Sequence, residues 1–283
     1  MERFNPLIQV QADALFTPEV RAWSLEKYKL VGSYCDIFTT GMRNKWDQLV
    51  YIDLFAGAGY AKIKESGKTY LNSALTAMSI PNPFSKYIFC EQDKARCDAL
   101  GARCQRDFSG LNFQIIQGDS NVIIDQVLKA IPPYGKGNTL LPFCFVDPFS
   151  LNLKLSTIEA LTKGLMDFLI LQALYMDGNR NLEKYLKEES TKISDYLGVS
   201  NWREIFEADA ATNKLNFVKF LADQYQNKMV GFGYQSAKHM HQIRSNEKNL
   251  PLYYLAFYSK HKRGEEFFEE VRKRVTPQTK MDF

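Results

Sequence analysis

The chain has 283 residues, of which 45% are hydrophobic and 24% charged, as is ordinary for a globular protein with a sizeable core. Its formal net charge of +4 is too small to establish a nucleic-acid partner. Five cysteines without a Cys-x-x-Cys pair argue against a secreted disulfide scaffold, so we expect a cytoplasmic protein with buried or half-buried free thiols and no metal site. We expect neither a signal peptide nor a membrane span, since the longest apolar run, near residues 165–176, is too short.

The first predicted element is a helix over residues 19–43, because apolar residues recur there at roughly helical spacing. Residues 49–53 then form an apolar run that ends in an acid, which predicts a buried strand of a parallel sheet. A polar loop is expected after Gly59, and its lysines Lys62, Lys64 and Lys68 are interpreted as solvated or as a clamp on substrate phosphate groups.

A regular alternation of helices and strands follows. The predicted helices cover residues 72–79, 93–108, 120–131 and 157–163, and the predicted strands cover residues 87–91, 112–117, 140–146 and 167–171. Such an alternation predicts an α/β fold with a doubly wound, mostly parallel sheet.

The pattern changes in the last third of the chain. Residues 178–230 predict helices only, whereas residues 232–243 and 252–258 predict an antiparallel edge hairpin before a final helix at 265–274. The predicted organisation is one compact domain with three parts. These are an N-terminal helical segment (1–45), a core (46–175 and 231–283) and a helical insertion (176–230).

The segment from Leu49 to Tyr60 gives the first indication of a ligand. Its turn, Gly57-Ala58-Gly59, lets a ligand approach the backbone at the carboxyl end of the first strand. In the Gly-x-Gly-x-x-Gly pattern of dinucleotide-binding proteins, the third glycine would stand at Lys62. The segment therefore fits the methionine end of S-adenosylmethionine better than a pyrophosphate.

Acidic residues follow four successive predicted strands: Asp53, Glu91, Asp119 and Asp147. Ligands of open parallel sheets bind outside the carboxyl ends of the strands, so we expect these acids to line one crevice. Glu91 is placed to accept the ribose hydroxyls of an adenosine, and Asp119 to accept from the adenine amino group. The alternative is that strand-end residues only cap the following helices, which we favour for Asp93 and Ser120.

Asp147-Pro148-Phe149 follows the fourth predicted strand. A carboxylate together with a backbone carbonyl can accept hydrogen bonds from the exocyclic amine of a base, and Phe149 can stack on its ring. The alternative is a tight turn with a phenylalanine in the core.

Four stretches together resemble class I S-adenosylmethionine-dependent methyltransferases: residues 53–59, 89–91, 118–120 and 146–149. With residues 27–34, 72–78 and 252–264, the chain resembles more narrowly the three-Cys-motif partner proteins, a bacterial family. The resemblance implies a Rossmann-like class I methyltransferase fold, with a mostly parallel seven-stranded sheet, an antiparallel C-terminal hairpin and a helical insertion. It also implies S-adenosyl-L-methionine as cofactor.

The candidate site residues follow from these motifs. The candidate catalytic residues are Asp147, Pro148 and Phe149. The candidate cofactor-binding residues are Asp53, Phe55, Ala56, Gly57, Gly59, Glu91, Gln92, Asp119 and Ser120.

Two functions agree with the sequence. The first is a methyltransferase that acts on an exocyclic amine of a nucleobase, with a nucleic acid as substrate. The second is a non-catalytic or cofactor-holding partner of a radical-SAM, cluster-binding protein, which is the kind of partner that the family name describes. The second is motivated by missing glycines at Asn72-Ser73 and Ser150, where Gly-Ser-Pro and Gly are more common in the family. It is also motivated by the absence of the second proline of Asp-Pro-Pro-Tyr, the form common in amino-methylating enzymes.

Overall fold

The computed structural model describes residues 4–187, 189–213, 216–237, 240–245 and 250–275. The strands are β1 (Gln9–Val10), β2 (Glu19–Val20), β3 (Gln48–Asp53), β4 (Tyr60–Ile63), β5 (Thr69–Leu71), β6 (Lys86–Glu91), β7 (Phe113–Gln117), β8 (Leu140–Val146), β9 (Asp167–Gln172), β10 (His241–Arg244) and β11 (Pro251–Tyr258). The helices are α1 (Ser24–Met42), α2 (Ser73–Met78), α3 (Lys94–Asp107), α4 (Ile124–Ala130), α5 (Leu155–Thr162), α6 (Leu182–Leu186), α7 (Lys192–Leu197), α8 (Trp202–Asn213), α9 (Phe217–Gly231) and α10 (Lys262–Val275), and a π-helix covers Leu174–Asn179.

The main sheet has seven strands in the order β10-β11-β9-β8-β3-β6-β7. Strands β9, β8, β3, β6 and β7 are parallel to one another, whereas β11 runs antiparallel to β9 and to β10. This order confirms the predicted Rossmann-like α/β fold with an antiparallel C-terminal hairpin. The carboxyl ends of β8, β3, β6 and β7 therefore lie side by side along one edge of the sheet.

Helices cover both faces of this sheet. Strand β9 is buried at all six positions, and β3 and β6 at five of six, which requires protein on both sides. Helix α1 contacts α2 and α10, while α5 contacts α4 and α7. The continuous apolar runs of the sequence predicted these central strands because a strand covered on both faces has no solvent-facing positions.

Helix α1 carries its apolar residues along one stripe that packs on the sheet. Tyr34, near its middle, is fully buried, and its ring centroid lies 4.6 Å from that of Phe143 and 5.0 Å from that of Phe257. The helix begins at Ser24, five residues later than predicted, because Glu19 and Val20 pair with β4 as strand β2.

A second sheet has the strand order β1-β5-β4-β2. Its two central strands, β4 and β5, lie in the segment that was predicted to be a polar loop. That prediction was wrong for residues 60–63 and 69–71. Both strands are short, and β4 contains Lys62, which pairs with Glu19 at 2.9 Å. Their outer partners β1 and β2 lie 43 to 61 residues away, as the registers Glu19 with Lys62 and Gln9 with Tyr70 show, so local periodicity gives no signal for them.

The predicted helical region contains the π-helix and α6 to α9, with α7 in contact with α8 and α9. The late hairpin is confirmed, but its first strand, β10, begins at His241 rather than at Phe232. Residues 238–239 of the predicted strand lie outside the described residues, as do residues 276–283 of the predicted core. No helix within the described ranges is both long and apolar enough to cross a membrane.

The cysteines confirm the prediction of free thiols. Cys35, Cys90, Cys97, Cys104 and Cys144 are all buried and unbridged. Burial raises the pKa of each thiol, so these side chains pack as small apolar groups rather than as thiolates.

Candidate functional site

A cleft of about 730 Å³ opens at the carboxyl edge of the main sheet. Its walls come from the strand ends, the second sheet and the first turns of α1. Nine of the twelve predicted site residues line it: Phe55, Gly57, Glu91, Gln92, Asp119, Ser120, Asp147, Pro148 and Phe149. The structure thus brings the residues that follow four different strands to one surface.

The other three predicted residues lie beneath that surface. Asp53 is fully buried, and its carboxylate accepts hydrogen bonds from the Phe55 N–H at 3.0 Å and from the hydroxyls of Ser73 and Tyr51 at 2.9 and 3.3 Å. Ala56 is also fully buried, and Gly59 lies within the fold as well. Asp53 therefore holds the bend in place from below.

The bend itself depends on glycine. Gly57 and Gly59 have φ angles of +63° and +88°, in the left-handed region that disfavours other residues. A Cβ at Gly59 would lie 2.8 Å from Leu75 Cδ1, so a side chain there would force Leu75 on helix α2 to move. Asn72 links the glycine bend to helix α2. Its Nδ2 donates to the Ala56 carbonyl at 2.7 Å, and its Oδ1 caps α2 by accepting from the Leu75 N–H at 3.4 Å.

Glu91, the last residue of strand β6, connects that strand to the glycine bend. Its Oε2 accepts from the Gly57 N–H at 3.0 Å, and its Oε1 accepts from the Asp93 N–H at 2.9 Å. Each carboxylate oxygen has two lone pairs, so both oxygens retain the capacity to accept a ligand hydroxyl. Asp93 itself caps α3 through the Arg96 N–H at 2.9 Å, as predicted.

Asp119 and Ser120 form the floor after β7. Asp119 Oδ1 accepts from the Asn121 N–H at 2.8 Å, and its carboxylate faces the cleft. The Ser120 hydroxyl donates to the Leu54 carbonyl at 2.6 Å rather than capping a helix. α4 begins only at Ile124, so the helix-cap interpretation of Ser120 was wrong.

Asp147 forms an ion pair that the sequence analysis missed. The Lys27 ammonium on α1 donates to Asp147 Oδ2, and the Lys27 side chain is only 8% exposed. The rings of Trp23 and Tyr28 flank the ammonium, with centroids 5.5 and 5.4 Å away. Burial lowers the pKa of Lys27, but the charge of Asp147, its hydrogen bond to the ammonium and the nearby phenols of Tyr28 and Tyr253 together outweigh burial and leave that pKa above its usual value. The available signal was a lysine in the apolar stripe of a predicted helix.

Phe149 stands at the mouth of the cleft with 90% of its surface exposed, which excludes the interpretation as a core residue. Residues of the helical insertion stabilise the loop that carries Phe149. The Leu151 N–H donates to Asp177 Oδ2 at 2.8 Å, and Lys192 Nζ lies 3.1 Å from the same oxygen. The helical insertion therefore fixes the loop after β8, although none of its described residues is among those that line the cleft.

The environment of Asp53 perturbs its ionisation. Burial raises the pKa of Asp53 to about 7, and the nearby Asp147 charge acts in the same direction, against the hydrogen bonds from Phe55, Ser73 and Tyr51. Burial also raises the pKa of Asp167, at the start of β9, to about 6. Both carboxyls therefore hold protons in the native state at pH values where the unfolded chain has released them.

From the raised pKa values of Asp53 and Asp167 we expect the free energy of unfolding to fall as the pH rises from about 4 to about 7. Over that range the native state binds more protons than the unfolded state, so each raised pKa favours the native state at low pH and loses its contribution at high pH. Asp53→Asn should flatten this part of the profile in urea unfolding measured at a series of pH values. Asp98→Asn, at an exposed site paired with Lys94, is the control and should keep the wild-type slope.

No protein-family model and no curated protein matches this chain. Among solved structures, an O-methyltransferase from Bacillus cereus in complex with SAH is 8% identical, with a TM-score of 0.44, over 81% of this chain and 80% of that chain. M. jannaschii TYW2 in complex with AdoMet is 9% identical, with a TM-score of 0.40, over 92% and 90%. A Legionella pneumophila protein of the family DUF519 is 8% identical, with a TM-score of 0.48, over 88% and 91%. At these values the fold assignment rests on the strand order and register of this chain itself.

Proposed function

We propose that the chain is an S-adenosylmethionine-dependent methyltransferase whose acceptor is an exocyclic amine of a nucleobase. The observation that supports it most is the convergence of Glu91, Asp119 and Asp147 on one cleft beside a glycine bend. Open α/β sheets bind their ligands in this position. The volume of about 730 Å³ lies within the usual range for cofactor and ligand pockets.

The residues of the cleft fit the adenosine and methionine parts of this cofactor. Glu91 accepts backbone N–H groups with both carboxylate oxygens, which fixes its orientation and leaves lone pairs for ribose hydroxyls. Asp119 faces the cleft one strand further and can accept from an adenine amino group. Gly57 has no side chain, so the methionine part can lie against the bend.

When bound, the cofactor supplies a methyl group on a sulfonium that is already an activated leaving group. The task left to the protein is alignment. Asp147 Oδ1, which has no hydrogen-bond partner in the described part of the chain, can accept one N–H of the acceptor amine, and the Pro148 carbonyl can accept the other. These two acceptors orient the nitrogen lone pair, and Asp147 is placed to receive the proton that leaves the nitrogen.

Aromatic side chains near Asp147 suit a flat acceptor. Phe149 presents its ring to solvent at the mouth of the cleft, and the rings of Trp23 and Tyr253 lie 4.9 Å apart on another wall. Enzymes that act on a base stack it on such side chains after drawing it out of its helix. This supports a nucleobase over a smaller or purely aliphatic amine.

Methyl transfer from radiolabelled S-adenosylmethionine to RNA and DNA pools tests the proposal. We expect label in one pool, and nucleoside analysis should place it on an exocyclic nitrogen. Cofactor binding without label in any pool would instead support a cofactor-holding partner of a radical-SAM protein. Absence of cofactor binding would contradict both functions.

Phe149→Ala tests the stacking contact. Because the ring is exposed, its removal should leave the free energy of unfolding unchanged. Loss of one base–aromatic stack, worth about 1–3 kcal/mol, should raise KM for the acceptor by roughly 5- to 150-fold with little change in cofactor affinity. Tyr134→Ala, also exposed but not among the residues that line the cleft, is the control. An unchanged KM in Phe149→Ala would refute the contact.

A further inference from the structure

We propose that Lys27 is a positioning residue for methyl transfer, which holds the Asp147 carboxylate by Oδ2 so that Oδ1 faces the acceptor amine. This inference rests on the proposed function and adds a residue to it. It follows from an ion pair between a buried lysine and a half-buried aspartate that stand 120 positions apart in the chain and meet in the cleft.

The geometry gives the pair a definite direction. Lys27 Nζ donates to Oδ2 of Asp147, and among the described residues no group donates to Oδ1. The Lys27 and Asp147 side chains are 8% and 16% exposed, and such a pair is held far more firmly than one on the surface. Ring faces of Trp23 and Tyr28 hold the ammonium from other sides.

The other groups around Asp147 do not replace the ammonium. The Asp53 carboxyl on β3 and the phenols of Tyr28 on α1 and Tyr253 on β11 interact electrostatically with Asp147, and none of these three is cationic. Arg180 and Asp177, beyond β9, act on Tyr253 with opposite signs. Lys27 is therefore the cation in direct contact with Asp147 within the described residues.

Two roles for Lys27 lead to opposite kinetic results. If the ammonium only occupies the place of the acceptor amine, its removal frees the site and lowers KM for the acceptor. If it positions Asp147, its removal leaves a half-buried carboxylate without a cationic partner, which then loses its fixed orientation and the favourable field of the ammonium. The use of a single oxygen supports the second role.

The test compares Lys27→Met, Lys27→Arg and the wild type by methyl transfer over a pH series, with cofactor affinity measured by calorimetry. For Lys27→Met we expect kcat to fall by about 100-fold at neutral pH, because a misplaced group costs on this order. The acid limb of its pH–rate profile should move up by at least about one pH unit. Lys27→Arg retains the charge and should return the limb toward its wild-type position.

Lys29→Met is the matched control, since Lys29 lies two residues further along α1 and is not among the cleft residues. It should leave rate and acid limb unchanged. A Lys27→Met variant with the wild-type acid limb, or with a lowered acceptor KM and a higher kcat/KM, would overturn the positioning role.

A readout independent of turnover separates this inference from the proposed function. At neutral pH the carbon-13 chemical shift of the Asp147 carboxyl should differ between Lys27→Met and the wild type, because the carboxylate loses its hydrogen-bonded ammonium. If the wild type transfers no methyl group, the proposed function fails, and an unchanged chemical shift would show separately that Lys27 does not position Asp147. If the wild type is active but Lys27→Met behaves like it, only this inference fails.

Discussion

Asp147→Ala should abolish methyl transfer while leaving S-adenosylmethionine affinity within a few-fold of the wild type. In the proposed function, Glu91, Asp119 and the glycine bend contact the cofactor, whereas Asp147 orients the acceptor amine. Loss of alignment at the reacting atom costs about 100-fold or more in rate. Single-turnover kinetics and calorimetry on the same preparation measure the two effects. Loss of both binding and transfer, or of neither, would contradict this role of Asp147.

The ion pair with Lys27 complicates this variant, because alanine leaves a nearly buried ammonium without its partner. Removal of one member of a buried pair costs up to about 3–5 kcal/mol of stability. Asp147→Asn keeps the shape and one oxygen, and Lys27→Met combined with Asp147→Ala removes both charges. The double variant should be more stable than Asp147→Ala and remain inactive, which separates loss of chemistry from loss of folding.

Arg103→Met should cause the largest loss of stability among single substitutions outside the cleft. The Arg103 side chain is fully buried on α3, where it donates to the Asp13 carboxylate at 3.0 Å, to the Ala58 carbonyl at 2.6 Å and to the Thr17 hydroxyl at 2.8 Å. Its guanidinium also lies 4.0 Å from the centroid of the Tyr60 ring. Methionine would remove this donor from the Ala58 carbonyl and the Thr17 hydroxyl and would leave Asp13 with Arg106 as its remaining cationic partner, at a cost of about 3–5 kcal/mol.

Urea unfolding measures this loss, and Arg106→Met is the matched control. Arg106 contacts the same Asp13 at 3.1 Å, but its side chain is 46% exposed, so we expect a loss of at most about 1 kcal/mol. Because Ala58 lies in the glycine bend, Arg103→Met should also weaken cofactor binding. If Arg103→Met does not fold, Arg103→Lys provides a milder variant. Equal losses in the two methionine variants would contradict the central role of Arg103.

The sequence predicted the parts of the site that depend on local pattern. Strands covered on both faces appear as continuous apolar runs, and the acids Asp53, Glu91 and Asp147 mark where three such runs end. Because parallel strands share an edge, the position of these acids followed from the fold class alone. The glycines of the bend were also recognisable from local sequence, because Gly57 and Gly59 have positive φ angles, which glycine adopts more easily than other residues.

What the sequence did not predict depends on contacts between distant segments. Lys27 and Asp147 are 120 residues apart, and Arg103 reaches Asp13 across 90, so no spacing rule connects either pair. The second sheet was missed because its strands are two to four residues long. Asp53 was predicted to contact the cofactor, yet its carboxylate is buried beneath the bend. A position at the end of a strand does not show whether a side chain is buried or faces the cleft.

A crystal structure of the wild-type protein with S-adenosylhomocysteine tests most directly whether the cleft at the carboxyl edge of the sheet holds this cofactor. We expect the ribose hydroxyls beside the Glu91 carboxylate, the adenine beside Asp119, and the sulfur directed towards Asp147. Crystals grown at saturating ligand that show the cleft empty, or the ligand bound elsewhere, would contradict the account.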